Sequence, residues 1–98
     1  LIHIREYLMA TRTVIIASKV GLHARPASLF VQAAAGTGLH VTIAKEGSEP
    51  VDARSILGVM SLGVQQGQSV LLTADGNGAD AVLDELVSLL SRDLDAQG

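Results

Sequence analysis

The chain has no cysteine and no tryptophan, and its aromatic side chains stop at Tyr7 and Phe30. The missing cysteines exclude disulfides, thiolate zinc sites and a cysteine nucleophile, and they fit a reducing, cytoplasmic setting. The missing aromatics require a core of Ala, Val, Leu and Ile. They also count against modules that stack bases on aromatic platforms. Positive charge is not in excess either. Seven Lys and Arg against ten Asp and Glu leave a net charge of −3, so no general basic field draws in nucleic acid or anionic lipid. The most unusual absence is local. From Ser55 to Ala74, twenty consecutive residues carry no Asp, Glu, Lys or Arg. About 20 apolar residues span a bilayer, but this run is broken by Gln65-Gln66-Gly67-Gln68-Ser69 and holds three glycines. Its apolar pieces are too short to cross, so direct membrane insertion is not expected. A water-facing surface usually carries charge, and the charge-free run needs a role.

At 98 residues the chain is the size of one domain. Met9-Ala10 resembles a translation start, so residues 1–8 are set apart as a loose extension, too short and too charged for a secretory signal. Residues 9–98 read as the domain. Thr13 to Ser18 is a strand candidate, with Val14 and Ile16 on one face. After a loop around Gly21, Ala27, Phe30, Val31 and Ala34 mark the buried stripe of a helix. Pro26 lies just inside its start, and Gly36 and Gly38 end it. Val41 to Lys45 and Pro50 to Asp52 read as strands flanking a turn at Gly47. Ser55 to Leu62 is a short apolar helix stopped by Gly63. Ser69 to Ala74 is a strand with Val70, Leu72 and Ala74 on one face. Asn77 with Asp80 is a helix start, followed by an apolar stripe at Ala79, Val82, Leu83, Leu86 and Leu90 that runs to about Leu94. Asp80, Asp84, Glu85, Asp93 and Asp95 form its solvated face. The order βαββαβα predicts an α+β domain: a four-stranded antiparallel sheet with the helices on one side.

Gly21-Leu22-His23-Ala24-Arg25-Pro26-Ala27 is the stretch most able to carry chemistry. It sets a histidine at the N-terminal edge of a helix. The first helical N–H groups have no internal partners, and with the helix dipole they favour an anion. Arg25 adds a permanently charged planar fork suited to phosphate, and neutral imidazole is a nitrogen nucleophile. A histidine beside an anion hole, with no other catalytic group near, suits a phosphoryl acceptor cradled by the Ala24 and Arg25 backbone. The plain alternative is a cap or surface histidine. His3 and His40 lack an i, i+4 partner or carboxylate neighbour, so no metal site is expected.

Together with Ser55-Ile-Leu-Gly-Val-Met-Ser-Leu-Gly63, this stretch resembles the histidine-containing phosphocarrier family, HPr, of the bacterial sugar phosphotransferase system. The resemblance runs from Met9 to about Leu94. It implies an open-faced β-sandwich. It implies that Nδ1 of His23 takes a phosphoryl group from phosphorylated enzyme I, charged by phosphoenolpyruvate, and passes it to sugar-specific A components, with Arg25 assisting. The family members are phosphotransfer intermediates rather than enzymes with turnover. No cofactor or metal of the protein's own is implied; the magnesium belongs to enzyme I. A cytoplasmic monomer is expected.

Ser55, at a helix start, is an ordinary N-cap on its own chemistry. In Gram-positive members of the family a dedicated kinase phosphorylates the serine at this place, which would add roughly −1.5 to −2 charges to a docking face. Here Asp52-Ala53-Arg54 replaces the more usual Asn-Leu-Lys, with one extra residue in the preceding turn. Ile56, Leu57, Met60 and Leu62 cannot all face inward on so short a helix, so part of it should be exposed for docking. The docking surface is expected to take in Ala24, Ser28, Ile56, Leu57 and Met60, with Arg25 and Arg54 at its edge. Other readings are a regulatory phosphoprotein of a nitrogen-related or carbon-control branch, an RNA-binding module, which lacks basic and stacking residues here, and a domain with a vestigial histidine, which would have no need of Arg25.

Overall fold

The computed structural model describes residues 9–94; residues 1–8, the expected loose extension, and 95–98, including Asp95, lie outside the described residues. The elements are β1 (Met9–Ile15), α1 (Ala24–Gly36), β2 (His40–Lys45), β3 (Val51–Asp52), α2 (Ile56–Ser61), β4 (Ser69–Asp75) and α3 (Ala79–Leu90). The strands form one sheet in the order β1-β4-β2-β3, every neighbouring pair antiparallel. β4 is central. It pairs along its whole length with β1, Met9 opposite Asp75 and Ile15 opposite Ser69, and with β2 on its other side.

Strand alternation decides which face the helices cover. Val14, Val41, Ile43, Val70, Leu72 and Ala74 are buried on that face. They meet Pro26, Ala27, Phe30 and Ala34 of α1, Val59 of α2, and Ala79, Leu83, Leu86 and Leu90 of α3. Among the described residues the core is aliphatic with Phe30 as its one aromatic. Burying each large side chain contributes roughly 1.5–3 kcal/mol. The opposite face, with Ile15 and Leu71 exposed, is open. The domain is therefore the open-faced α+β sandwich expected, and α1 packs against both α2 and α3.

Element ends differ from the sequence reading. β1 begins at Met9 and stops at Ile15, rather than spanning Thr13 to Ser18, because β4 supplies partners back to Asp75. Ile16 leaves the strand but stays buried, its N–H donating to the Gln68 carbonyl at 3.0 Å. α3 ends at Leu90, not near Leu94. The Leu90 carbonyl accepts the Ala17 N–H at 3.2 Å, and the chain then turns so that the Leu94 N–H reaches the buried Ser18 hydroxyl at 3.1 Å. Asn77 does not cap α3. Gly78, in the left-handed conformation at φ 83°, holds the N-cap position with no side-chain cap. The acidic face of α3 is not wholly solvent-directed, since Arg12 on β1 pairs with Asp80 at 2.9 Å and Asp84 at 3.2 Å. The charge-free run divides into α2, a turn at 65–68 and β4. Among the described residues no helix is long and apolar enough to cross a membrane.

Candidate functional site

His23 is the N-cap of α1, in extended backbone conformation (φ −127°, ψ 152°), and its imidazole makes no capping hydrogen bond to the helix. The side chain is exposed. The neighbours that fix it are not. Leu22 is buried to 1% exposure, and Pro26 and Ala27 are buried on the other side. Pro26 has no N–H, so the amides of Ala24 and Arg25 are the donors left free at this helix end. Ala24, directly after His23, has φ +44°, the sole positive φ among the described non-glycine residues. A left-handed alanine stores strain on the order of 1–3 kcal/mol. Arg25 is exposed, and no carboxylate among the described residues pairs with it. Exposed imidazole, free amides and a guanidinium with no carboxylate partner among the described residues thus share one helix end, an arrangement able to receive an anionic group.

Two loops join this end to the charge-free run. The Leu22 N–H donates to the Val64 carbonyl at 2.9 Å. Gly21, at φ +67°, lies so close to that carbonyl that a Cβ would overlap its oxygen and stand 2.7 Å from the Gln65 Cα. Ser55 caps α2, its hydroxyl accepting the Gly58 N–H at 3.0 Å, and remains exposed. On α2, Val59 and the following Leu62 are buried, Met60 packs partly against the core, Ile56 is 37% exposed and Leu57 is 79% exposed. Ser28 is half-buried, its hydroxyl accepting from the Gln32 side chain at 3.1 Å. Arg54 is not an unengaged cation. It grips Asp52 through Nε at 3.1 Å and Nη2 at 2.9 Å. These side-chain hydrogen bonds, with the Arg54 backbone N–H as a second contribution, hold the Asp52 carboxyl at about 2, below its ordinary 3.8. His40 is exposed, and no metal-holding group of three or more His, Asp or Glu occurs among the described residues. Sequence reasoning places the turn at 65–68 but misses the Gly21–Val64 approach that brings it against the loop of His23. The glycine and the three glutamines were the visible signals.

A family model described as the PTS HPr component phosphorylation site matches residues 10–92. The chain belongs to the HPr family of the phosphotransferase system. It is 48% identical over 87 residues to the phosphocarrier protein HPr of Streptomyces coelicolor, covering 89% of this chain and 94% of that protein. A crystal structure of a phosphocarrier protein HPr from Bacillus anthracis superposes with a TM-score of 0.79 at 38% identity, covering 84% of this chain and 96% of that one. The catabolite repression protein Crh of Bacillus subtilis superposes with a TM-score of 0.67 at 39% identity over 82% of this chain and 91% of its own, and its structure is described as a swapped dimer. HPr-family membership therefore sets the fold and the phosphocarrier class, and dimers occur among the relatives.

Proposed function

We propose that this HPr-family protein is a cytoplasmic phosphocarrier whose acceptor is Nδ1 of His23. The observation that carries the reading is an exposed, unbonded imidazole at the N-cap of α1, beside the free amides of Ala24 and Arg25, inside the family-matched segment. The Nδ1 lone pair attacks the phosphorus carried by enzyme I, the donor's bond to phosphorus breaks, and the donor keeps that electron pair. The same sequence in reverse roles delivers the group to a sugar-specific A component. Arg25 and the two amides balance charge on the phosphoryl oxygens throughout, so positioning and electrostatics rather than a resident acid–base pair support transfer. Ile56 and Leu57, with Ala24, Ser28 and Met60, supply the docking face. The test is incubation with enzyme I, phosphoenolpyruvate and magnesium. An acid-labile, base-stable phosphate is expected on the chain and is expected to vanish in His23→Ala. A chain that takes up no such phosphate overturns the reading.

Ser55 is proposed as a regulatory phosphorylation site on the same face. Its hydroxyl is exposed at the start of the helix that presents Leu57, so a phosphate there puts negative charge beside the apolar patch without entering the core. Incubation with the family's serine kinase is expected to phosphorylate Ser55. No phosphate on this residue removes the proposal.

A further inference from the structure

One peptide unit, between Val64 and Gln65, is held from both ends. Its carbonyl accepts the N–H of Leu22 at 2.9 Å, and Leu22 is the residue before His23. Its N–H donates to the side-chain Oε1 of Gln68 at 2.9 Å. A peptide unit is planar, so fixing the direction of its N–H also fixes the direction of its carbonyl. Hydrogen bonds at the two ends of one amide also polarise and strengthen each other. Gly21 packs against this same unit, leaving the loop that carries His23 little room to shift.

We propose that Gln68 is a positioning residue for phosphoryl transfer. Its side-chain carbonyl orients the Val64–Gln65 peptide, which in turn anchors Leu22 and sets where the His23 imidazole stands. The inference rests on the reading of His23 as phosphoryl acceptor. Gln68 does not touch the reacting atoms. Its backbone has separate tasks, the N–H donating to the Gln65 carbonyl at 3.1 Å and the carbonyl accepting from Ile16 at 3.0 Å. A side-chain substitution at this exposed position therefore removes the link and leaves the turn closed.

The experiment compares the full chain with Gln68→Leu, which keeps the bulk and loses the acceptor, and Gln68→Glu, which keeps an acceptor oxygen. Single-turnover transfer from phosphorylated enzyme I gives a saturating rate and a half-saturation concentration. Amide exchange at Leu22 and Gln65 reports the link directly, and thermal melting reports the fold. Gln68→Leu is expected to lower the saturating rate about tenfold, to leave half-saturation unchanged and to speed exchange at both amides; Gln68→Glu is expected to restore both readouts. A phosphorylated wild type alongside a Gln68→Leu protein of normal saturating rate overturns the positioning role. So does a loss seen only in half-saturation or in melting, or a Gln68→Glu protein as slow as Gln68→Leu. A wild type that takes no phosphate on His23 overturns the acceptor reading itself, and the role of Gln68 falls with it.

Discussion

His23 is set apart by what surrounds it in the backbone. The ring is left exposed and unbonded while Leu22, Pro26 and Ala27 are buried around it, so an exposed group is mounted on a buried base. Gly21 is where that base is most sensitive. A side chain there must adopt φ +67° and displace the Val64 carbonyl, so Gly21→Ala is expected to lose on the order of 2–3 kcal/mol of stability, read from the midpoint of urea unfolding. Asp52 sets a pH dependence. Its carboxyl is held at about 2 in the fold against an ordinary 3.8, so the Arg54 contact stabilises the fold fully above pH 4 and is lost as pH falls toward 2. The pair is substantially exposed, at 52% and 38% for the two side chains, so solvent screens it and its contribution is small. Acid unfolding of Asp52→Asn is expected to be less steep between pH 4 and 2 than that of the wild type. His23 and Arg25 were legible in the sequence because their motif is local. The φ of Ala24 and the Gln68–Gln65–Val64–Leu22 chain were not; the chain is completed only when Leu22 meets Val64, far away in sequence.

Helix α2 performs two tasks with six residues. Val59 faces the core, while Leu57 faces water. So short a helix has little stability of its own, and the Ser55 cap on Gly58 matters more than it would on a long one. Ser55→Ala is expected to lower unfolding stability by about 1 kcal/mol, and Ser55→Asp, which retains an acceptor at the cap, to recover most of it; equilibrium denaturation of the three proteins checks both. At this scale the sequence was readable wherever periodicity was strong. The stripe at Ala79, Leu83, Leu86 and Leu90 and the alternation at Val70, Leu72 and Ala74 mark buried faces directly. Element ends were less readable because they depend on partners. Nothing near Met9 announces that Asp75 will pair with it, and nothing near Leu90 announces that its carbonyl will meet Ala17.

Across the whole molecule, the twenty-residue run without charge resolves into three functions carried by three neighbours in sequence. β4 is the centre of the sheet, the turn at 65–68 braces the loop of His23, and α2 offers Leu57 to solvent. Charge would be costly at the buried positions of the first. In the third, its absence leaves an exposed apolar patch, the docking face of the proposed phosphocarrier. Leu57→Glu is expected to melt at the wild-type temperature, since the side chain is 79% exposed, and to transfer phosphate to and from partners more slowly; unchanged transfer would remove Leu57 from the docking face. The most direct measurement is phosphorus NMR of the chain after incubation with enzyme I, phosphoenolpyruvate and magnesium, with nitrogen-labelled imidazoles to identify the bonded atom. A single phosphohistidine resonance coupled to Nδ1 of His23, absent in His23→Ala, is the expected result. Phosphate on another residue, or a signal that survives His23→Ala, would contradict it.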